Sequence, residues 1–410
     1  MTEIKIDMSN ILNTQNGGRR NGCPSGVMDN PNVCLEDLRR QFSYSADFVK
    51  FKGGFLKMWL RQSALVQTIF YTFKLDVLLH KFSRNWENSI EDAFKMFLTK
   101  EEYADEELKK ELRKDINDSY WYAKTKPYEY FLFDFRGKNK DKKTRKSFIT
   151  DVSMLYLLTK TGTRKLHDLE LNEKGNFYKL CQPYFKRKVV DVNCHSDYDA
   201  FKDMAMTVHD IILKPVSSGC GGGIFVAHIN TADEAKKTFE KVLQSGGNWI
   251  AEEFIHQAAE MASWNPTSVN SIRFTTFKNK TGIHYHLPFI RTGRDGAVVD
   301  NAGRGGIYAG IDIETGKIMT NGFDEQGNEY KTHPDSKIEY RGWQIPKWKD
   351  LIALATEMHE KIMPEHHYIG WGFALTDQGW VVIEGNWGQY VCQQSCTKKG
   401  YKEIFEKYAK

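Results

Sequence analysis

What this chain lacks narrows it before any motif is read. Only seven of its 410 residues are cysteine, an odd number at irregular spacings, so no disulfide framework is written into it. Cys392 and Cys396 stand four apart, but no second pair with zinc-ligand spacing accompanies them, and they read as ordinary thiols. No secretory signal opens the sequence, so the cytoplasm is the expected location. Charge of one sign is missing too: 58 Lys and Arg against 53 Asp and Glu leave +5, too slight for a dedicated nucleic-acid coat, and no nucleic-acid partner is expected. Long hydrophobic runs are absent. The most apolar region, Leu56 to Phe82, is broken by Lys57, Arg61, Gln62, Gln67, Lys74 and Asp76 and cannot span a bilayer. Its apolar residues recur at helical intervals around Trp59, which suits a buried helix, a helix lying on a membrane surface being the alternative. The basic run Lys138 to Lys146 reads as a solvated loop, with contact to lipid headgroups or RNA as its alternative. There is no G-x-S-x-G nucleophile motif, no Cys-His arrangement and no internal repeat. The remainder is ordinary, 40% hydrophobic and 27% charged, and long enough for two or three domains.

The texture changes along the chain. Residues 1–45 have little apolar periodicity and are expected to be poorly ordered, and 46–150 form a helical accessory region in which Glu101 to Arg113 is one long amphipathic run. From Asp151 helices and strands alternate. Ser196 with Asp199, and Thr231 with Glu234, place a cap acceptor and a carboxylate three residues apart, the signature of a helix start. Ala235, Phe239, Val242 and Leu243 then share a helical face until Gly246-Gly247, and Trp249 to Ile255 reads as a strand. Beyond it the chain is β-rich. Asn270 to Lys278, Ile283 to Arg291 and Ala297 to Asn301 are expected strands of an antiparallel sheet, Leu351 to Ile362 a helix, and Tyr368 to Thr376 with Trp380 to Asn386 a closing hairpin. The fold class is α+β, with 151–255 and 256–410 as the expected parts after the accessory region.

The most telling stretch is Ile211-Ile212-Leu213-Lys214-Pro215-Val216, then Ser217-Ser218-Gly219-Cys220-Gly221-Gly222-Gly223, then Ile224-Phe225-Val226. It reads as strand, glycine loop, strand. Consecutive glycines leave backbone N–H groups uncovered and tolerate positive φ, so the loop can fold over an oxyanion while Lys214 supplies a cation at its mouth. A Walker loop or a dinucleotide fingerprint would run into a helix, which does not follow here. A kinase glycine loop would carry its lysine in the next strand and be followed by H-R-D and D-F-G, which are absent. A plain hairpin turn is the alternative, although seven small residues exceed what one needs.

Further side chains suit the same chemistry. Strand residues two apart face one side, so Glu384 and Asn386 emerge together from the end of an apolar strand, and such oxygen donors suit magnesium held jointly with substrate phosphates. A salt-bridged Glu and a capping Asn are the alternative. Arg273 can grip carboxylate or phosphate oxygens bidentately, and Asn270, Arg291, Asp300, Asn301 and Arg304 are candidates to line the same cleft. His284 and His286 could face a metal from one strand, but no third ligand with suitable spacing is visible.

Taken in order, the lid lysine, Glu252-Glu253-Phe254-Ile255, Asn265-Pro266-Thr267-Ser268-Val269-Asn270-Ser271-Ile272-Arg273, Val299-Asp300-Asn301 and Ile383-Glu384-Gly385-Asn386 resemble the ATP-grasp superfamily, most of all its sugar-transfer-associated group. The likeness runs from about Lys174 to the C-terminus and extends more faintly back over Tyr128 to Thr150, leaving the first hundred residues uncovered. It implies two α+β subdomains clasping ATP, the first with the lid in 151–255 and the second with the metal and substrate site in 256–410. Lys214 would contact the α- and β-phosphates, Ser217, Ser218, Gly219, Gly221, Gly222 and Gly223 would close over the β- and γ-phosphates, and Lys174 would reach the α-phosphate. Glu252, Glu253, Phe254 and Ile255 would be the strand whose backbone reads adenine, and Glu260 would approach the ribose. Glu384 would bridge two magnesium ions, Asn386 would bind one, and Arg273 would steady the transferring phosphoryl group.

The implied activity is an ATP-dependent carboxylate-amine ligase working through an acyl phosphate on small-molecule substrates, decorating a glycan or its precursor. One departure stands out. The family's strand usually reads Gly-Trp-Asp, its aspartate binding magnesium, whereas here Gly370-Trp371-Gly372 offers no ligand. Asp300 or Asp312 could supply the missing oxygen, the metal could be held by phosphate and water, or activity could be lost. A small-molecule kinase, a nucleotide-binding scaffold and a basic membrane-surface module are the rival readings. The substrates' identity and the oligomeric state are not legible.

Overall fold

The computed structural model describes residues 84–160, 170–171, 174–216, 224–246, 248–386 and 390–408. The expected loose segment 1–45, the Leu56 to Phe82 region and the glycine stretch Ser217 to Gly223 lie outside the described residues. What is described falls into two compact units, one from 165–256 and 381–385, the other from the helices before residue 165 together with 257–380 and the C-terminal residues from 386.

The helical segment is α1 (Arg84–Phe97), α2 (Lys100–Ala104), α3 (Glu106–Ala123), α4 (Pro127–Leu132), α5 (Lys142–Lys146) and α6 (Asp151–Lys160). Glu101 to Arg113 is not one run: Asp105 has extended backbone, ends α2 and caps α3 by accepting from the Leu108 N–H at 3.0 Å. An aspartate side chain satisfies an orphan helix donor better than it sustains a helix interior, and so the run breaks there. The core is aromatic: Trp86, Phe94, Tyr120, Tyr130, Phe133, Phe135 and Phe148 are buried, with Trp86 and Tyr120 at 4.4 Å and Phe133 and Phe148 at 4.8 Å between ring centroids.

The basic run also departs from expectation. Lys138 to Lys146 is not simply solvated, because Asn139 and Arg145 are buried. Arg145 grips the Asp115 carboxylate with both Nη atoms at 2.8 Å and donates to the Phe135 carbonyl at 2.9 Å, while Tyr130 Oη donates to the same carboxylate at 2.5 Å. The planar guanidinium grips the carboxylate with two parallel bonds and still has a donor for the carbonyl, a fork that lysine's single ammonium does not offer.

Glu129 is the unusual acid of this segment. It is fully buried, and its carboxyl accepts from the Lys126 N–H at 2.8 Å and the Asp151 N–H at 2.7 Å, tying the start of α4 to the start of α6. Burial pushes it up to about 8 against those two donors, which favour the ionised form. The folded value thus exceeds the unfolded one, so between about pH 4.5 and 8 the folded protein binds more protons and stability falls as pH rises. In urea melts across this window, Glu129→Gln should flatten the pH dependence by up to about 1.4 kcal/mol per pH unit. Identical slopes for the two proteins would refute the assignment.

The first unit is built from α7 (Lys174–Phe185), β1 (Val189–Val192), α8 (Tyr198–Val208), β2 (Asp210–Pro215), β3 (Phe225–His228), α9 (Ala232–Ser245) and β4 (Trp249–Glu253). Its sheet is antiparallel in the order β1-β4-β2-β3. Val192, Phe201, Met204, Ile211, Leu213, Phe239 and Val242 make its core. Thr231 and Glu234 form the capping box that starts α9. The other expected cap is displaced: Asp197, not Ser196, accepts from the Asn193 and Cys194 N–H groups at 2.8 and 3.0 Å, and a 3-10 turn at His195–Asp197 leads into α8.

In the second unit follow α10 (Ala259–Ala262), β5 (Ile272–Asn279), β6 (Gly282–Thr292), β7 (Ile307–Gly310), β8 (Gly322–Phe323), β9 (Glu329–Tyr330), α11 (Trp348–Lys361), β10 (Tyr368–Thr376), β11 (Gly379–Asn386), α12 (Val391–Thr397) and α13 (Lys402–Tyr408). The seven-stranded sheet runs β11-β10-β5-β6-β7-β8-β9. Ala297 to Asn301 is not a strand. Its residues lead into a 3-10 turn at Ala302–Arg304, and the next strand is Ile307–Gly310. The composition is apolar, but Asp300 and Asn301 bond inward to side chains and turn backbone rather than to a ladder.

Candidate active site

In the first unit the site begins with strand register. β2 and β4 are antiparallel with Ile212 opposite Glu252 and Lys214 opposite Ile250, so Lys214 and Glu252 lie diagonally on one face. Lys214 Nζ stands 2.9 Å from Glu252 Oε2, and the same oxygen receives Arg187 Nη2 at 2.8 Å and Nε at 3.1 Å. All three side chains are nearly excluded from water, at 11%, 4% and 4% exposure for Lys214, Glu252 and Arg187. Burial works against the carboxylate's charge, but the Lys214 ammonium and the Arg187 guanidinium outweigh it and hold Glu252 below its ordinary range. Arg187 also donates to the Val382 carbonyl at 2.7 Å and lies over the Phe185 ring. One carboxylate therefore neutralises two cations, leaving the cluster with a net positive charge at the foot of β2.

Lys174 lies at the same strand end. Its Nζ donates to the carbonyls of Pro215 and Val216 at 3.0 and 3.2 Å, immediately before the glycine stretch. Glu253 accepts from the Lys188 N–H at 3.0 Å, and the Phe254 N–H donates to the Asp210 carbonyl at 2.9 Å. Ile255 is half-buried. Glu384 is half-buried, and Gly385 beside it presses against α7: a Cβ there would come within 2.6 Å of Leu171 and 2.7 Å of Phe177. Only glycine lets β11 approach so closely.

In the second unit, Glu260 is exposed on α10 and Asn386 is half-buried at the end of β11. Arg273 is buried on β5, directly opposite Gly372 of β10 and Phe289 of β6, with an irregularity in the β5–β6 register just after it. The missing side chain at 372 thus falls across from the arginine. Thr275 Oγ1 accepts from Gln393 Nε2 at 3.3 Å, which ties α12 to the same strand.

Asp300 is committed on both oxygens: Oδ1 takes Arg291 at 2.7 Å, and Oδ2 takes the Ser271 N–H at 2.9 Å and the Ser271 hydroxyl. Asp312 bonds to the Thr315 N–H and hydroxyl at 2.8 and 2.7 Å, an Asx turn that holds its carboxyl low. Asn270 gives its amide to the carbonyls of Met261 and Asn265, each at 2.8 Å, and accepts from the Gly293 N–H. Packing accounts for it. Asn301 caps the turn at Gly303 through a 2.9 Å bond, and Arg304 is exposed. Among the described residues no group of three or more His, Cys, Asp or Glu is placed to hold a metal, and no helix is long and apolar enough to cross a membrane. His286 is half-buried, and burial pushes its imidazole down to about 4.

Sequence reasoning missed Arg187, Gln393 and Gln394. Gln394 holds the Ile149 backbone at both ends, its Oε1 accepting from the N–H and its Nε2 donating to the carbonyl, each at 2.8 Å. No local pattern announces such partners, since each is fixed only by a distant segment.

No curated protein matches the sequence. Among solved structures, D-alanyl-alanine synthetase A from Vibrio cholerae is 13% identical at a TM-score of 0.36, over 58% of this chain and 64% of that one. D-alanine–D-alanine ligase from Bacillus anthracis complexed with ATP is 12% identical at 0.36, over 60% and 67%. N5-carboxyaminoimidazole synthetase from Staphylococcus aureus complexed with ADP is 12% identical at 0.34, over 57% and 54%. Such loose likenesses carry no argument by themselves, and the chain spans less than two thirds of the first of these proteins. The family model described as sugar-transfer-associated ATP-grasp, in contrast, matches continuously over residues 171–407, taking in the Lys214 cluster, the Arg273 strand and the Glu384–Asn386 strand end. The chain belongs to the sugar-transfer-associated ATP-grasp family.

Proposed function

We propose that this protein is an ATP-dependent carboxylate-amine ligase that forms an amide on a glycan or glycan precursor through an acyl phosphate. The observation that carries the reading is the buried Lys214–Glu252–Arg187 cluster at the foot of the glycine stretch, a positively biased site held ready in low dielectric. Lys214 would leave one partner for the nucleotide phosphates, and Arg187 would keep Glu252 compensated when it does. Lys174 would reach the α-phosphate, Ser217 to Gly223 would cover the β- and γ-phosphates, Glu252 to Ile255 would supply the adenine-reading backbone, and Glu260 would meet the ribose. The division into a lid part at 151–255 and a substrate part at 256–410 follows from these roles.

The donor set at the end of β11 fits magnesium: a carboxylate and an amide oxygen, both partly accessible, match an ion that takes one or two protein oxygens and completes its shell with phosphate and water. Bound there, magnesium would neutralise charge on the transferring phosphoryl group. Glu384 and Asn386 would hold it. Arg273 would orient the carboxylate that attacks the γ-phosphorus and then the acyl phosphate, whose C–O bond breaks as the amine nitrogen bonds to carbon. Positioning and charge neutralisation are the protein's main parts in such a reaction. Arg291 and Asp300 would support this end of the site, and the committed oxygens of Asp300 make it a support for Arg291 rather than a free metal ligand.

The test is nucleotide binding by calorimetry together with ADP and phosphate release in mixtures of amino acids and amino sugars. Lys214→Ala should weaken ATP at least about tenfold, the loss of one charge-assisted contact. Unchanged affinity would mean that the site is elsewhere, and ADP release without phosphate would mark a kinase instead. Gly372 opposite Arg273 favours one second reading, a nucleotide-binding scaffold, which would bind ATP and release no ADP with any mixture.

A further inference from the structure

The basic run Lys138 to Lys146 takes no part in the ligase reading, and folding gives it a face. α5 is little more than one turn of helix, so at about 100° per residue Lys142, Lys143 and Lys146 share one side of it and Thr144 and Arg145 the other. Burial follows that division. Arg145 is buried and Thr144 half-buried, whereas the three lysines are exposed, as are Lys138 and Lys140 before them. The run's one arginine is spent inward on Asp115, so its exposed cations are all lysines.

A second basic segment is sewn to this one from the far end of the chain. Asn139 Nδ2 donates to the Lys398 carbonyl at 3.1 Å, and the Lys402 N–H donates to the Ser147 carbonyl at 2.9 Å. Gly400 approaches so closely that a Cβ on it would come within 2.4 Å of the Ser147 backbone. Exposed Lys399 and Lys146 therefore flank one contact, each a single residue away from it. Six exposed lysines are gathered in this part of the second unit, held by backbone contacts between its two segments. Two exposed acids stand against them, Glu403 and Asp141, whose carboxylate caps α5 through the Thr144 N–H at 2.9 Å, and the excess stays positive.

An aromatic edge borders the lysines. Lys142 Nζ lies 5.3 Å from the centroid of the Tyr122 ring, and Trp121, the preceding residue of α3, is 44% exposed. Indole rings settle at the boundary between water and headgroups, one end apolar and the other wet.

We propose that this face docks the protein on a membrane, and that its partner is a bilayer surface rich in anionic headgroups, which attract clustered lysines at short range. RNA is the other polyanion such a cluster attracts. Its recognition relies on arginine planes and on aromatic rings that stack successive bases, whereas this face offers lysine point charges with one tryptophan at the border. A headgroup layer asks only for positive charge spread over a surface and an amphipathic ring at its edge. The inference rests on this surface alone and goes beyond the ligase reading. α12 leads from Gln393, bonded to Thr275 of β5, to the Lys398 segment, so docking would hold the Arg273 strand within one short helix of the bilayer.

The test is flotation of the full chain with phosphatidylcholine vesicles containing about 30% phosphatidylserine, in about 0.1 M salt. The wild type should float with them and not with pure phosphatidylcholine. Raising the salt to about 1 M, where the screening length falls to about 3 Å, should release it. Lys140→Gln, Lys143→Gln and Lys146→Gln combined should lower partitioning at least about tenfold. Removing the same charge from α9, by Lys236→Gln, Lys237→Gln and Lys241→Gln, should leave flotation as in the wild type, with thermal melting confirming that both variants fold. A wild type that fails to float overturns the proposal. So does equal loss in the two variants, which would make net charge the cause, and so does unchanged flotation of the first variant, which would put the contact elsewhere in the chain. Capture of fluorescent polyuridine that the first variant loses, without vesicle binding by the wild type, would make the partner RNA and overturn the bilayer.

Discussion

Glu252→Ala will destabilise the protein by about 3–5 kcal/mol, the usual cost of removing one partner from a buried ionic cluster. Two cations at 11% and 4% exposure would lose the carboxylate oxygen on which they converge. The loss reflects the stranding of Lys214 and Arg187 rather than the net worth of the pairs, so the double variant Glu252→Ala, Lys214→Met should recover part of it. Urea unfolding of the wild type, the single and the double variants measures both quantities. A loss under about 1 kcal/mol would place the cluster among ordinary surface pairs and sink the argument. There is a matching acid signature: because the folded carboxyl lies below its unfolded value, its contribution is present above the unfolded value and is lost as pH falls through the folded one.

Glu384→Gln gives the largest functional effect. If this carboxylate holds the ion that neutralises the transferring phosphoryl group, the amide, which carries no charge, should lower the rate of ADP release at least about 100-fold. Nucleotide affinity should change much less, since Lys174, Lys214 and the lid would carry most of it. The fold should persist because the residue is half-buried and the replacement is isosteric. The neighbouring Gly385→Ala separates chemistry from packing. Its Cβ would press to 2.6 Å against Leu171, so that variant should lose stability as well as rate. Turnover retained in Glu384→Gln would exclude the strand end as a metal site.

Local sequence carried much of the fold. Thr231 and Glu234 are each other's partners within one turn, and the last hairpin shows its two strands and its Asp377-Gln378-Gly379 turn openly, with Gly379 at positive φ as such a turn demands. The strand bearing Lys214 was legible for the same reason. Pairing between distant segments was not. That Glu252 would meet Arg187, or that Arg145 would clamp Asp115, depends on which strands and helices become neighbours, and no spacing encodes it. Apolar composition also misled at Ala297 to Asn301, where short polar side chains compete for the hydrogen bonds that a ladder would use. The candidate site was thus readable as a set of residue types, whereas the ion-pair partner of Lys214 and the commitments of Asp300 and Asn270 needed three dimensions.

The amide of Gln394 occupies both polar groups of Ile149, doing for one residue what an adjoining strand does for many. A chain cut back to the family-matched residues alone would leave that glutamine's Nε2 without the Ile149 carbonyl, the carbonyl of Lys398 without Asn139, and part of the apolar faces of Tyr390 and Phe405 uncovered. The leading helices are therefore masonry of the second unit rather than an appendage, and removing them would take away part of its foundation.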